Sequence, residues 1–154
     1  MKAALFEVDA FTGPGLAGNR AAVVVIDTWL PDEVLQATAA RVALSETAWL
    51  VADVAGRYEL RWFTPTTEVD LCGHATLAAA HVVFVHLEPG RAEVSFKTRS
   101  GPLGVGREKD LLALDFPSRL PLAASPPPEL EEAMGIAPVE TLATPRDWLL
   151  VYRT

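Results

Sequence analysis

Between Leu71 and Leu87 the chain turns almost uniformly apolar after a small, polar start, with Pro65 before it and Pro89-Gly90 after it. Its alanines and leucines favour a helix and Pro89-Gly90 stops it. A helix apolar on every side, yet too short to span a bilayer, is expected to be wrapped by protein all round. Before it, residues 2–9 alternate as a half-buried strand carrying Phe6 and Val8, ended by the turn-forming run Thr12 to Asn19. Ala21 to Ile26 is a continuous apolar run, the pattern of a strand buried on both faces. Residues 32–42, announced by Pro31-Asp32-Glu33, read as an amphipathic helix with Val34, Leu35, Thr38 and Val42 near one face. Residues 48–53 and 58–64 are strand-like and, joined through Gly56, predict an antiparallel hairpin. After the apolar helix, 92–98, 102–107 and 111–116 are spaced as a meander.

The composition shifts at Pro117. Pro121 and Ser125-Pro126-Pro127-Pro128 read as a stiff connector, Glu129 to Met134 as a short helix ended by Gly135, and 139–143 and 147–153 as two further strands. The domains expected are therefore 1–116, a proline-rich connector over 117–128, and 129–154. The last strand is strongly apolar, which implies a partner surface that the chain does not supply.

At 154 residues, half of them hydrophobic and 21% charged, the chain is globular in composition. A net charge of −7 argues against a nucleic-acid or anionic-membrane surface, since either needs clustered Lys and Arg. The single cysteine excludes an intrachain disulfide and gives no zinc-ligand spacing, so a reducing, cytoplasmic setting and no metal are expected. No signal peptide is expected, because acidic residues interrupt the first nine positions.

The helix start concentrates the candidate chemistry. Backbone N–H groups at Gly73, His74 and Ala75, with the helix dipole, make an anion site, and Gly73 lets a ligand come close. His74 there either offers an imidazole to a bound anion or bonds the preceding loop. Glu46, beside the apolar Ala48-Trp49-Leu50, is either a solvated loop glutamate or a carboxylate whose pKa is raised enough to serve as a general base. Cys72 is either a thiolate stabilised by the helix start or a small buried cysteine. Glu68 and Asp70 either pair with helix-terminal N–H groups or are solvated. His81 and His86, deeper in the apolar run, are expected to be packing residues. Gly101 to Gly106 lacks the phosphate-loop pattern and reads as a twisted strand.

Val8-Asp9-Ala10-Phe11-Thr12, Gly18-Asn19, Leu44-Ser45-Glu46-Thr47-Ala48, Arg61-Trp62-Phe63-Thr64-Pro65 and Glu68 to Ala78 together resemble the PhzF-like, or phenazine biosynthesis-like, family, which shares the diaminopimelate epimerase fold. The resemblance implies an α+β architecture in which two similar lobes each wrap a mostly antiparallel sheet around a central buried helix. It also implies a cofactor-independent isomerase, with the active site between the lobes where two helix N-termini face each other. Carried over by position, Glu46 and His74 are catalytic, Glu46 as the proton-transferring glutamate, while Ser45, Gly73 and Asn19 contact the substrate. That substrate is expected to be a small carboxylate-bearing molecule, with no metal or cofactor, and the partner a homodimer mate or a complementing second lobe. Arg20 stands where the family usually has proline, and family members are nearly twice this length. Residues 1–116 are thus expected to be the PhzF-like N-terminal lobe and 129–154 the beginning of an incomplete second lobe, with the second half of the isomerase site missing from this chain. The competing expectation is therefore a truncated or inactive lobe that self-associates or binds a partner.

Overall fold

The computed structural model describes residues 3–153. Met1, Lys2 and Thr154, which the ranges predicted above include, lie outside them. The chain divides into two compact units, with the break between Phe116 and Pro117.

The first unit runs β1 (Ala4–Ala10), β2 (Asn19–Ile26), α1 (Asp32–Val42), β3 (Glu46–Val54), β4 (Arg57–Phe63), β5 (Glu68–Val69) and α2 (Gly73–Val82). A π-helical segment, Val83–Leu87, continues α2, and β6 (Glu93–Thr98), β7 (Gly101–Glu108) and β8 (Leu111–Asp115) follow. The strands lie in the order β1-β2-β3-β4-β6-β7-β8, with β5 added against β4. Pairing is antiparallel except at β2/β3 and β4/β6. The predicted β3–β4 hairpin and the β6–β7–β8 meander are both present.

Alternation along the strands explains their double burial. Val23, Ala48, Leu50, Leu60 and Trp62 point to the face that holds α2, where Phe96, Leu103 and Val105 join them. Val24, Ile26, Trp49 and Phe63 point to the opposite face, under Leu35 and Ala39 of α1. The buried stripe of α1 thus runs through Leu35 and Ala39, whereas Val34, expected on that face, is exposed. Full burial of each large side chain is worth about 1.5–3 kcal/mol. Small residues make the central helix fit: Ala75, Ala78, Ala79 and Ala80 are completely buried and let the strands approach its backbone.

Both end strands, β1 and β8, reach α2, so the sheet curls around the helix. They do not pair with each other, and the helix is open to solvent along His81, Val85 and His86. The expectation of a helix covered on every side fails there. The two histidines line an open groove beside Phe6 and Leu112 instead of packing in the core, and His86 stacks on Phe6 with ring centres 4.7 Å apart. The π-helical segment closes with Glu88 N–H donating to Val83 O at 2.7 Å. Arg107 secures it, donating to Phe84 O at 3.1 Å with its guanidinium 4.9 Å from the Phe84 ring centre.

The second unit contains β9 (Leu122–Ala123), α3 (Pro128–Met134), β10 (Glu140–Ala143) and β11 (Trp148–Val151), the strands forming an antiparallel sheet in the order β11-β10-β9. The stretch 117–128, read as a connector, therefore holds a short strand and the first residue of a helix. Pro128 suits the first helical turn and Gly135, at φ 69°, ends it in the left-handed conformation. No residue from Pro117 to Arg153 is buried. Among the described residues, no helix is long and apolar enough to cross a membrane.

Candidate active site

The parallel pairing of β2 with β3 sets Ala21 opposite Glu46, so the two strands begin at the same end of the sheet. Asn19 and the Ser45-Glu46 pair therefore emerge side by side. β5 pairs with β4 through Trp62–Val69 and Phe63–Glu68, and from there the chain passes directly to Cys72 and the start of α2. These two local arrangements bring Asn19, Ser45, Glu46, Cys72, Gly73 and His74 together, although they lie in three separate stretches of sequence.

His74 is the hub. Its Nε2 lies 3.0 Å from Glu46 Oε2 and 3.2 Å from Ser45 Oγ, and its Nδ1 lies 3.4 Å from Cys72 Sγ. The His74 and Glu46 side chains are 10% and 19% exposed, so the pair is largely shielded yet reachable. The approach of Glu46 Oε2 to the ring lacks hydrogen-bond alignment, and that oxygen is buried without a hydrogen bond. The Ser45 hydroxyl lies within donating distance of Arg20 O at 3.1 Å and Asn19 Oδ1 at 3.4 Å. When it donates to Arg20 O and the Cys72 thiol donates to Nδ1, the ring carries its proton on Nε2, facing Ser45 and Glu46.

Burial pushes the Cys72 thiol up to about 11, and the charge of Glu46 adds to this, against the backbone N–H groups of Ala75 and His74. The neutral, buried form anticipated for Cys72 therefore wins over the stabilised thiolate. Thr76 Oγ1 donates to Cys72 O at 2.5 Å and anchors the first turn of α2. At Gly73 an added Cβ would lie 3.2 Å from Phe116 Cε2, so an aromatic ring already occupies the side of the backbone that glycine leaves open. Arg20, in the place of the family's usual proline, makes a two-pronged ion pair with Asp9 across β1 and β2, at 2.8 and 3.0 Å. It extends β2 back to Asn19 without disturbing the strand.

Two features escaped the sequence. Glu46, Cys72 and His74 offer donor atoms all within 4.8 Å of one another, a set that could hold a metal ion. Spacing rules miss it because Glu46 is remote from Cys72 along the chain. The other feature is Arg61, which donates to Glu68 twice at 2.7 Å and to Asp32 at 2.9 Å while lying over the Trp29 and Phe63 rings. Arg99 adds a third contact to Glu68 at 2.7 Å. Glu68 is thus neither a helix-terminal acceptor nor a solvated acid but the clamp that fixes β5, and with it the entry to α2. The available signal was an arginine on the outward phase of a strand between buried Leu60 and Trp62. The groove beside His81 and His86, about 580 Å³ in volume, contains neither Glu46 nor His74.

A curled, mostly antiparallel sheet around one helix, with polar groups gathered at that helix's start, defines a diaminopimelate epimerase-like α+β lobe. The family model described as phenazine biosynthesis-like protein (PhzC-PhzF) matches residues 8–145, and the chain belongs to that family. It is 51% identical over 151 residues to an uncharacterized isomerase of Pseudomonas aeruginosa, covering 98% of this chain and 58% of that protein. The crystal structure of a PhzF family protein from Enterococcus faecalis superposes with a TM-score of 0.84 at 42% identity, covering 97% of this chain and 56% of the other. A hydroxyproline epimerase of Agrobacterium vitis, at TM-score 0.53 and 11% identity over 78% of this chain and 43% of that one, shares the fold alone. The chain spans little more than half the length of the relatives named first.

Proposed function

We propose that this lobe supplies one wall of a cofactor-independent isomerase site that shifts a proton on a small carboxylate-bearing substrate. The observation that carries the reading is the shielded cluster of Glu46, His74 and Ser45 at the start of α2. In this reading Glu46 removes a proton from a carbon acidified by a neighbouring carboxylate or conjugated system. The C–H bond breaks, an O–H bond forms on Glu46, and the electron pair moves into the conjugated system. The α2 start, with His74 and Ser45, holds the developing negative charge, and Glu46 returns the proton at another carbon. Asn19 and Gly73 line the substrate. The isomerase named among the relatives supports the reaction class. The facing helix N-terminus belongs to a second lobe or to a homodimer mate, in the cytoplasm.

The test is exchange of solvent deuterium into unsaturated small carboxylic acids, followed by NMR. Exchange is expected with the wild-type protein when a second lobe or homodimer mate completes the site, and Glu46→Gln is expected to lower its rate by roughly a hundredfold or more. A Glu46→Gln protein with undiminished exchange overturns the assignment.

A second reading, a catalytically silent lobe that self-associates or binds a partner, is favoured by the apolar exposure of the second unit. Leu120, Leu122 and Ile136 are 83%, 75% and 69% exposed. Light scattering that finds a monomer at all concentrations removes the self-associating form of this reading.

A further inference from the structure

We propose that Glu46, Cys72 and His74 form an inhibitory zinc site, distinct in purpose from the proton-transfer chemistry that uses two of the same side chains. Thiolate, imidazole and carboxylate are the three ligand types zinc prefers, and here one of each converges. Among the described residues no other set of three such donors does so. The Cys72 Sγ to His74 Nδ1 separation of 3.4 Å is close to the ~3.5 Å edge that Zn–S and Zn–N bonds of about 2.3 and 2.0–2.1 Å span in a tetrahedron. A cation on that edge leaves the ring proton on Nε2, 3.2 Å from Ser45 Oγ, which is the outer-shell partner a ligating histidine usually has. Glu46 Oε2 is buried without a hydrogen bond and lies within 4.8 Å of the other two donors, so ligation asks its carboxylate to swing from its 3.0 Å approach to His74 Nε2 toward the Nδ1 side. Water fills the fourth position.

Binding breaks the Cys72 S–H bond, releases that proton to solvent and forms an S–Zn bond, with no change of oxidation state. Zinc is held by the thiolate, so it competes with a proton for Cys72 and affinity falls as pH is lowered. A carboxylate ligated to zinc cannot accept a proton from substrate. Inhibition therefore rests on the isomerase reading, whereas binding does not.

The experiment titrates the metal-free protein with cobalt(II) and then displaces it with zinc. One equivalent of cobalt is expected to produce the near-ultraviolet thiolate-to-cobalt band and the intense visible bands of a tetrahedral site, both lost on adding zinc. Cys72→Ser and Cys72→Ala are expected to abolish the thiolate band, and His74→Ala to weaken zinc binding by roughly tenfold or more. The alanine variant preserves a small apolar side chain in the buried position, which guards against misfolding of the serine variant. The double variant His81→Ala/His86→Ala is expected to bind as the wild type does. Absence of the thiolate band in the wild type, or zinc affinity unchanged in both Cys72 variants or lost in the double variant, overturns the proposal. Failure of the isomerase reading has a different signature: no deuterium exchange in metal-free protein whose site a second lobe or homodimer mate completes, whatever cobalt shows.

Discussion

Residues 3–116 and 117–153 are written in the same local vocabulary, yet only the first unit has an interior. Both contain strands bounded by glycine and proline and a helix between strands. The difference is what their helices carry. α2 presents alanines, threonine and valine on most of its circumference, and the strands close on it until Trp62 and Phe96 are 1% and 0% exposed. α3 carries Glu129, Glu131 and Glu132, buries nothing, and its neighbouring strands leave Trp148 and Leu149 about half exposed. Local patterning is enough to form elements, and in the first unit the sheet surrounds a helix that it can bury.

The contrast is broken most forcefully at Phe84. This ring is 2% exposed, under the Arg107 guanidinium and against the central cluster. Phe84→Ala is expected to destabilise the first unit by about 3–5 kcal/mol, read as a drop in the urea midpoint at unchanged slope. A loss below about 1 kcal/mol would mean that the first unit is packed no better than the second.

Cys72 reports the same burial through pH. Burial pushes its thiol up to about 11 in the fold, from an ordinary value near 9.0. Below pH 9 both states hold the proton and the contribution to stability is fully present. Between pH 9 and 11 the unfolded chain releases its proton first, so stability falls as pH rises, by about 2–3 kcal/mol in all. Tyr58, raised chiefly by its own burial, adds to alkaline destabilisation, so the Cys72 share is the difference between wild type and Cys72→Ala in urea melts across that window. Parallel curves for the two proteins would place the thiol in contact with water.

Most elements of the first unit were legible because each rests on near-neighbour chemistry: the apolar run for α2, alternation for β3 and β4, turn residues for the meander. The gathering of Asn19, Ser45, Glu46 and His74 was legible through resemblance, and the parallel β2/β3 register gives it a physical basis. What was not legible depends on distant parts of the chain. Whether α2 is covered all round depends on β1 and β8 meeting, and they do not. The π-helical turn also shifts the phase of the helix, which lets His86 join His81 at the open groove where α-helical spacing would separate them. The Arg61–Glu68 clamp and the Cys72–His74 contact join residues whose separate roles are bland, and only the fold makes them partners.

The smallest effect is expected where the second unit looks most like a core in sequence. Trp148-Leu149-Leu150-Val151 is as apolar as β2, and burial of such a strand would make Leu149→Ala cost about 2–5 kcal/mol. In the structure Leu149 is 49% exposed and pairs only with Leu142 across β10. Truncation there removes surface that water already reaches, and the expected loss is within about 0.5 kcal/mol in the same urea melts. A cost of several kcal/mol at micromolar concentration, shrinking on dilution, would show that this face is buried against another copy, and the contrast between the two units would then belong to the isolated chain alone.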